Sequence, residues 1–263
     1  MKSNLIVALA ALVLTLFATA SARAEVKTQM IEYTHAGVTL QGFIAFDDAK
    51  AGKKPGVLVC HEWWGLNDNT HEKCKMLAKE GYIAFALDMY GKGQVTTDPK
   101  QAGEWSAKLS SDPKALRERA LAGLKVLADH AACDATKIAV TGYCMGGTVA
   151  LELARTGADV KAVVCFHTSN LSAKDAADNK AMKARVLVCN GADDQFITPE
   201  EKANFMKQMK EAGIDFQFIE YGGAVHSFTN PKADSFKIPS VGYNEKADKR
   251  SWAAMKALFS EVL

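Results

Sequence analysis

From residue 56 onward the chain alternates short uninterrupted apolar runs with amphipathic stretches, and this rhythm constrains its fold more than any other feature. The runs predict strands at Gly56–Cys60, Ile83–Leu87, Lys137–Thr141, Ala162–Phe166, Val186–Cys189 and Phe216–Glu220. Between and after them, helical patterns lie near Asp68–Lys79, Pro113–Asp129, Gly146–Ala154, Pro199–Glu211 and Glu245–Phe259. Strands with no polar alternation must be buried on both faces, so the pattern implies a mostly parallel sheet with helices on both faces. Ahead of it, Val26–Tyr33 and Val38–Phe46 read as an antiparallel hairpin turning near Ala36-Gly37. Asp112-Pro113 and Thr198-Pro199 are helix starts and Gly213 a helix stop. The segments Gly91 to Asp112 and Thr168 to Lys183 are long enough to cover a site or to be plain surface helices. No repeat and no Pro/Gly/Ser-rich linker divides the chain, which predicts one α/β domain over residues 25–263.

In a parallel sheet of this kind, ligands bind beyond the carboxyl ends of the strands. At one such end stands Gly142-Tyr143-Cys144-Met145-Gly146-Gly147, directly between an apolar strand and an apolar helix. A reactive side chain on so sharp a strand-to-helix turn needs small neighbours, and here the reactive position carries cysteine. Two further strand ends supply partners in the chain order that such a nucleophile requires. Gly191-Ala192-Asp193-Asp194 follows the Val186–Cys189 strand, and Gly222-Gly223-Ala224-Val225-His226 follows the Phe216–Glu220 strand. His226 is the candidate base, because its loop is glycine-bearing and last in order, although His61 and His167 also follow strands. Asp194 is the preferred acid, standing three residues after Gly191 and just before a helix, with Asp193 the alternative. Taken alone, the Asp-Asp turn reads equally as a helix cap and a single histidine as structural; the three features together carry the catalytic reading.

The amino terminus reads as a secretory signal: Met1-Lys2, an apolar stretch from Leu5 to Phe17, and Ala22-Arg23-Ala24 as a cleavage site after Ala24. The stretch is shorter than the roughly 20 residues a membrane span needs, which disfavours an anchor. Cleavage removes Lys2 and Arg23 from the 32 basic residues and leaves the 30 acidic ones untouched, so the mature chain is formally neutral. That balance offers neither a nucleic-acid footprint nor a basic membrane patch and points to a small-molecule partner. All six cysteines lie in the mature part; Cys60, Cys165 and Cys189 sit in apolar runs, and Cys74 with Cys133 is the one pair considered for a disulfide. No Cys/His spacing suggests zinc.

These residues resemble the dienelactone hydrolase family, within the α/β-hydrolase fold, over nearly the whole mature chain. The resemblance rests on GYCMGG at 142–147, GADDQFITP at 191–199, GGAVHSF at 222–228, DMYGKG at 88–93 and HEWWGLND at 61–68. It implies a cysteine hydrolase of lactones or carboxylic esters acting through a thioester, with Cys144, Asp194 and His226 as triad and no metal or organic cofactor. It further implies that the backbone N–H groups of Trp63 and Met145 form the oxyanion hole and that Glu62 contacts the resting Cys144. Where family members carry two substrate-binding arginines this chain has Lys92 and Asn230, so a carboxylate clamp is in doubt and Trp63, Trp64, Tyr90 and Trp105 are candidates for a more apolar pocket. Two other readings stay open: a small peptidase of the same fold, and a non-catalytic periplasmic binding protein. A monomer or small homo-oligomer is expected.

Overall fold

The computed structural model describes residues 26–48 and 52–263; the signal segment and cleavage point at residues 1–24 lie outside the described residues. One sheet holds eight strands: β1 (Val26–His35), β2 (Val38–Asp47), β3 (Lys54–Cys60), β4 (Ile83–Leu87), β5 (Cys133–Tyr143), β6 (Ala162–Phe166), β7 (Arg185–Gly191) and β8 (Phe216–Tyr221). Their spatial order is β1-β2-β4-β3-β5-β6-β7-β8. β2 runs antiparallel to β1 and β4, and the pairings from β4 through β3 and β5 to β8 are all parallel. This is the α/β arrangement that the rhythm of apolar runs predicts, with the hairpin at one edge.

Side-chain alternation along the central strands feeds two cores. In β3, Leu58 and Cys60 face one layer while Val57 and Val59 face the other. The first layer packs under α3 (Pro113–Asp129), α4 (Met145–Arg155) and α5 (Pro199–Ala212), the second under α1 (Asp68–Lys79) and α6 (Glu245–Val262). Phe85, Phe166, Phe205, Phe228 and Phe259 are among the largest fully buried side chains, each an anchor whose truncation to alanine typically costs about 3–5 kcal/mol. Helix boundaries follow local chemistry. Asp112 and Thr198 each cap a helix that opens on proline, and Gly213 closes α5 at φ 72°, a left-handed conformation glycine adopts without strain.

Three details settle alternatives left open by the sequence. The long segment before α3 contains α2 (Pro99–Ser111), a surface helix whose only fully buried residue is Ala102 and one of the two forms expected for 91–112. The 168–183 connection is a cover fastened by polar contacts. Arg155, buried beside Glu152, donates to the Asn179 side chain at 2.9 Å, and Gln208 accepts from Ala173 N–H and Asn179. The one pair considered for a disulfide is unbonded: all six cysteines are free, and Cys74 and Cys133 belong to opposite layers of the sheet.

Candidate active site

β5 ends at Tyr143 and α4 begins at Met145, so Cys144 alone makes the turn, at φ 55° and ψ −121°. Such a conformation is strained for any residue with a Cβ and persists only where its surroundings enforce it. The Cys144 N–H is bonded to the Phe166 carbonyl at 3.0 Å, and the Cys144 carbonyl receives Gly147 N–H. The glycines are steric necessities. A Cβ on Gly142 would stand 2.0 Å from the Gly146 oxygen, and one on Gly146 would stand 2.2 Å from the Cys60 oxygen. Gly146→Ala is therefore expected to lower stability by about 1–3 kcal/mol, a drop of several degrees in Tm by calorimetry.

Cys144 is half-buried, whereas the other five cysteines are buried. Its thiol hydrogen-bonds the His226 ring. The opposite ring nitrogen, Nδ1, lies 2.9 Å from Asp194 Oδ2, and Asp194 Oδ1 accepts the Phe196 N–H at 2.8 Å. Asp193, by contrast, is exposed. The structure thus brings Asp194, His226 and Cys144 into one line. His226 is almost fully buried; burial opposes its protonation, but the Cys144 sulfur and the Asp194 carboxylate prevail and raise its pKa to about 10. Its loop is braced on the far side, with His226 N–H on the Ser240 carbonyl and Gly242 N–H on the His226 carbonyl. Phe228 plugs the core two residues later.

Trp63 and Met145, the two residues whose N–H groups are expected to form an oxyanion hole, both line the cavity at Cys144. Met145 is the first residue of α4, where an N–H has no intrahelical partner, and Trp63 stands in the turn after β3, the neighbour of β5. Tyr90 ties the two together: its hydroxyl contacts the Trp63 carbonyl at 3.0 Å, Met145 Sδ at 3.1 Å and the Ser106 side chain. His61 fixes the same turn from beneath. Its ring lies 2.6 Å from the Glu62 carbonyl through Nδ1 and receives Met89 N–H on Nε2, which assigns the neutral Nδ1–H tautomer; burial likewise lowers its pKa. His167, buried with its Nε2 2.8 Å from Thr229 Oγ1, stacks edge-to-face with His226 and supports it.

Glu62 departs from the expected contact. Its buried carboxyl accepts from Ser227 Oγ at 3.1 Å, Asn230 Nδ2 at 2.8 Å and Asn69 Nδ2 at 3.3 Å, while Cys144 engages His226 instead. Burial pushes the Glu62 pKa up, opposed by the Asn230 and Ser227 hydrogen bonds. Lys73, also buried, donates to the Thr229 carbonyl at 2.9 Å, so the segment after His226 is gripped from both ends. Asn230 therefore serves Glu62 and is not part of the lining of the cavity at Cys144. Lys92 is likewise outside the site: half-exposed, it pairs with Glu32 across the hairpin.

The elbow opens into a cavity of about 160 Å³ lined by Trp63, Trp64, Met145, Phe196 and Phe236 among others. That volume is close to the roughly 150 Å³ of a cavity that holds one benzene ring. Phe196, Phe236, Ile238 and Val241 were not legible as pocket residues, since nothing local distinguishes them from packing; the exposure of Phe196 next to His226 is a structural signal only. Tyr90 and Trp105 line a second cavity of about 550 Å³ behind α2. Among the described residues no cluster of three or more His, Cys, Asp or Glu could hold a metal ion, and no helix is long and apolar enough to cross a membrane.

The dienelactone hydrolase family pattern matches residues 40–263, most of the chain and every element of this site. The chain belongs to the dienelactone hydrolase family. Among similar proteins, Protein usf of Aquifex pyrophilus is 30% identical over 240 residues, covering 89% of this chain and 99% of that one. The solved structure of m3DLH is 39% identical with a TM-score of 0.88, covering 90% of this chain and 99% of the other. A dienelactone hydrolase-like promiscuous phosphotriesterase, P91, from metagenomic libraries is 38% identical at the same TM-score, over 91% and 99%. As a dienelactone hydrolase family member the chain is a hydrolase of the lactone and ester class.

Proposed function

We propose that this hydrolase attacks carboxylic esters and lactones with Cys144 and proceeds through a thioester. One observation carries the reading: a cysteine at a strained elbow, hydrogen-bonded to a histidine that a buried aspartate orients. The raised pKa of His226 favours an imidazolium beside Cys144. The sulfur forms a bond to the carbonyl carbon, and the displaced electron pair moves to the oxygen, which the Trp63 and Met145 N–H groups receive. Collapse expels the alkoxide, which takes the proton of His226 and leaves a thioester on Cys144. Water, deprotonated by His226, then attacks the thioester and the thiolate departs. A ring-opened lactone remains attached as the same molecule, so no separate alcohol needs to leave.

Peptide cleavage fits less well. An adduct on an amide collapses by expelling the thiolate, the better leaving group, whereas activated esters and lactones avoid that problem. The initial test is hydrolysis of phenyl acetate and a five-membered lactone, expected above the rate of the Cys144→Ala variant; activity on dipeptides exceeding that on esters would favour the peptidase reading. The P91 relative adds neutral phosphotriesters as a second probe of the same nucleophile.

The pH dependence follows from His226. The reactive pair needs imidazolium beside thiolate, and the proton leaves His226 only as pH passes about 10, so kcat/KM is expected to fall on that alkaline side. Asp194→Asn removes one group that holds the proton, and the alkaline limb should move to lower pH. A limb unmoved by that substitution would contradict the assignment.

Trp105 and Tyr90, rings 5.4 Å apart, line the larger cavity behind α2, and Tyr90 also touches Trp63 and Met145 of the catalytic one. Trp105→Ala is expected to admit longer acyl chains. Each methylene reaching the second cavity gains about 0.8 kcal/mol, roughly fourfold, so the two that separate hexanoyl from butyryl esters should raise kcat/KM about 15-fold.

For localisation we propose export with cleavage after Ala24, supported by the charge and hydropathy pattern of residues 1–24. Amino-terminal sequencing of the protein from its native host should begin at Glu25.

A further inference from the structure

The catalytic cavity is walled by aromatic, aliphatic, hydroxyl and amide groups, and its only titratable members are Cys144 and His226. No lysine or arginine lines it. The side chains where an anion clamp was sought are committed elsewhere. Lys92 is paired with Glu32, and the Asn230 carboxamide gives its N–H to Glu62 and its oxygen to Lys232 N–H at 3.0 Å. The nearest buried cation, Lys73, lies behind the His226 loop on the Thr229 carbonyl. The nearest carboxyl groups, Asp194 and Glu62, have no lysine or arginine in ion-pair contact among the described residues. A substrate carboxylate entering here would exchange water for aromatic rings and acidic neighbours, and the one cation in the wall, the His226 imidazolium, is already paired with Cys144 and Asp194.

We propose, resting on the hydrolase reading above, that the natural substrate is an uncharged ester or lactone whose acyl portion is compact and apolar, and that the site rejects substrates bearing a carboxylate. Phe196 over the His226 ring, and Phe236 against Trp64 at 4.7 Å, supply flat apolar faces for such a group. Trp63, tilted on Trp64 at 4.9 Å, completes the wall. Selectivity then comes from the absence of compensation for charge, which is a stronger filter than shape: a site lacking the partner of a buried polar group discriminates far more sharply than one missing a methylene.

The test compares methyl 4-acetoxybenzoate with 4-acetoxybenzoate, whose reacting acetyl groups are identical and which differ in charge. After correction for their spontaneous hydrolysis, kcat/KM is expected to favour the methyl ester by at least about 30-fold. Ser110→Arg, on the cavity wall contributed by α2, introduces a guanidinium and should narrow that ratio about tenfold. A wild-type ratio below about threefold, or a preference for the anion, overturns the proposal. Binding of methyl 4-hydroxybenzoate and 4-hydroxybenzoate to the Cys144→Ala protein, by calorimetry, separates this from the hydrolase reading. Preferential binding of the neutral compound with no turnover in wild type keeps the charge filter and removes the reaction. Equal binding with turnover of both esters keeps the reaction and removes the filter.

Discussion

Replacing Cys144 with alanine is expected to reduce aryl-ester hydrolysis by at least about 10⁴-fold, because the nucleophile and the group that charges His226 disappear together. The loss should fall on kcat and not on KM, since the cavity walls remain. Folding should survive. Cys144 is half-buried and its backbone turn is enforced by the Phe166 carbonyl and by the close approach of Gly142 to Gly146, neither of which involves the sulfur. Alanine at φ 55° bears the same backbone strain as cysteine, so the Tm is expected to stay within a few degrees. Steady-state kinetics alongside a calorimetric melt check both parts. Activity retained above about a tenth of wild type would move the chemistry off this elbow.

The second large effect is expected at Asp194. In Asp194→Asn the side chain keeps its size and its contact with the Phe196 N–H, but it can no longer pair with an imidazolium. An asparagine amide offers His226 Nδ1 a donor as readily as an acceptor, which selects the wrong tautomer. Losses of about 10³–10⁴-fold in kcat follow where the acid of such a triad is changed this way. Asp193→Asn provides the contrast. Asp193 is exposed and has no contact with His226, so it should leave kcat within about twofold of wild type. Equal losses at both positions would contradict the geometry.

The fold was largely legible because its signals are local and redundant. A run such as Ala162–Phe166 is apolar at every position, which only a strand covered on both faces tolerates, and Thr198-Pro199 announces a helix start by itself. The elbow was legible for a similar reason, since its glycines answer to contacts within a few residues or with the adjacent strand. What escaped the sequence depends on distant pairings. α2 buries only Ala102, so no core stripe told a surface helix from a cover over the site. Phe236 enters the pocket only because the segment before α6 folds back across His226 and Trp64. Lys92 keeps the charge an anion site would want, but the hairpin supplies Glu32 and draws it outward. Glu62 is the most instructive difference. The family resemblance implies a contact with the cysteine, yet Ser227, Asn230 and Asn69 occupy its oxygens, leaving Cys144 to His226.

This partitioning gives the site a definite chemical state. Glu62 and Lys73 anchor the residues immediately after His226, and His167 backs its ring, so the imidazole is fixed before substrate arrives. Tyr90 likewise holds the Trp63 carbonyl and the Met145 sulfur across the pocket. In the proposed mechanism, N–H donors held rigidly at these two residues would need no reorganisation as an oxyanion develops.

The central claim is a covalent acyl group on Cys144, and rapid acid quench during turnover of a slow ester, followed by mass spectrometry of the peptides, tests it most directly. An acetyl or aryl-acyl mass increment on the peptide bearing Cys144, formed and lost at rates matching turnover and absent from the Cys144→Ala protein, is the expected result. Turnover with no adduct on Cys144, or an adduct confined to Ser227 or another side chain, would contradict the account.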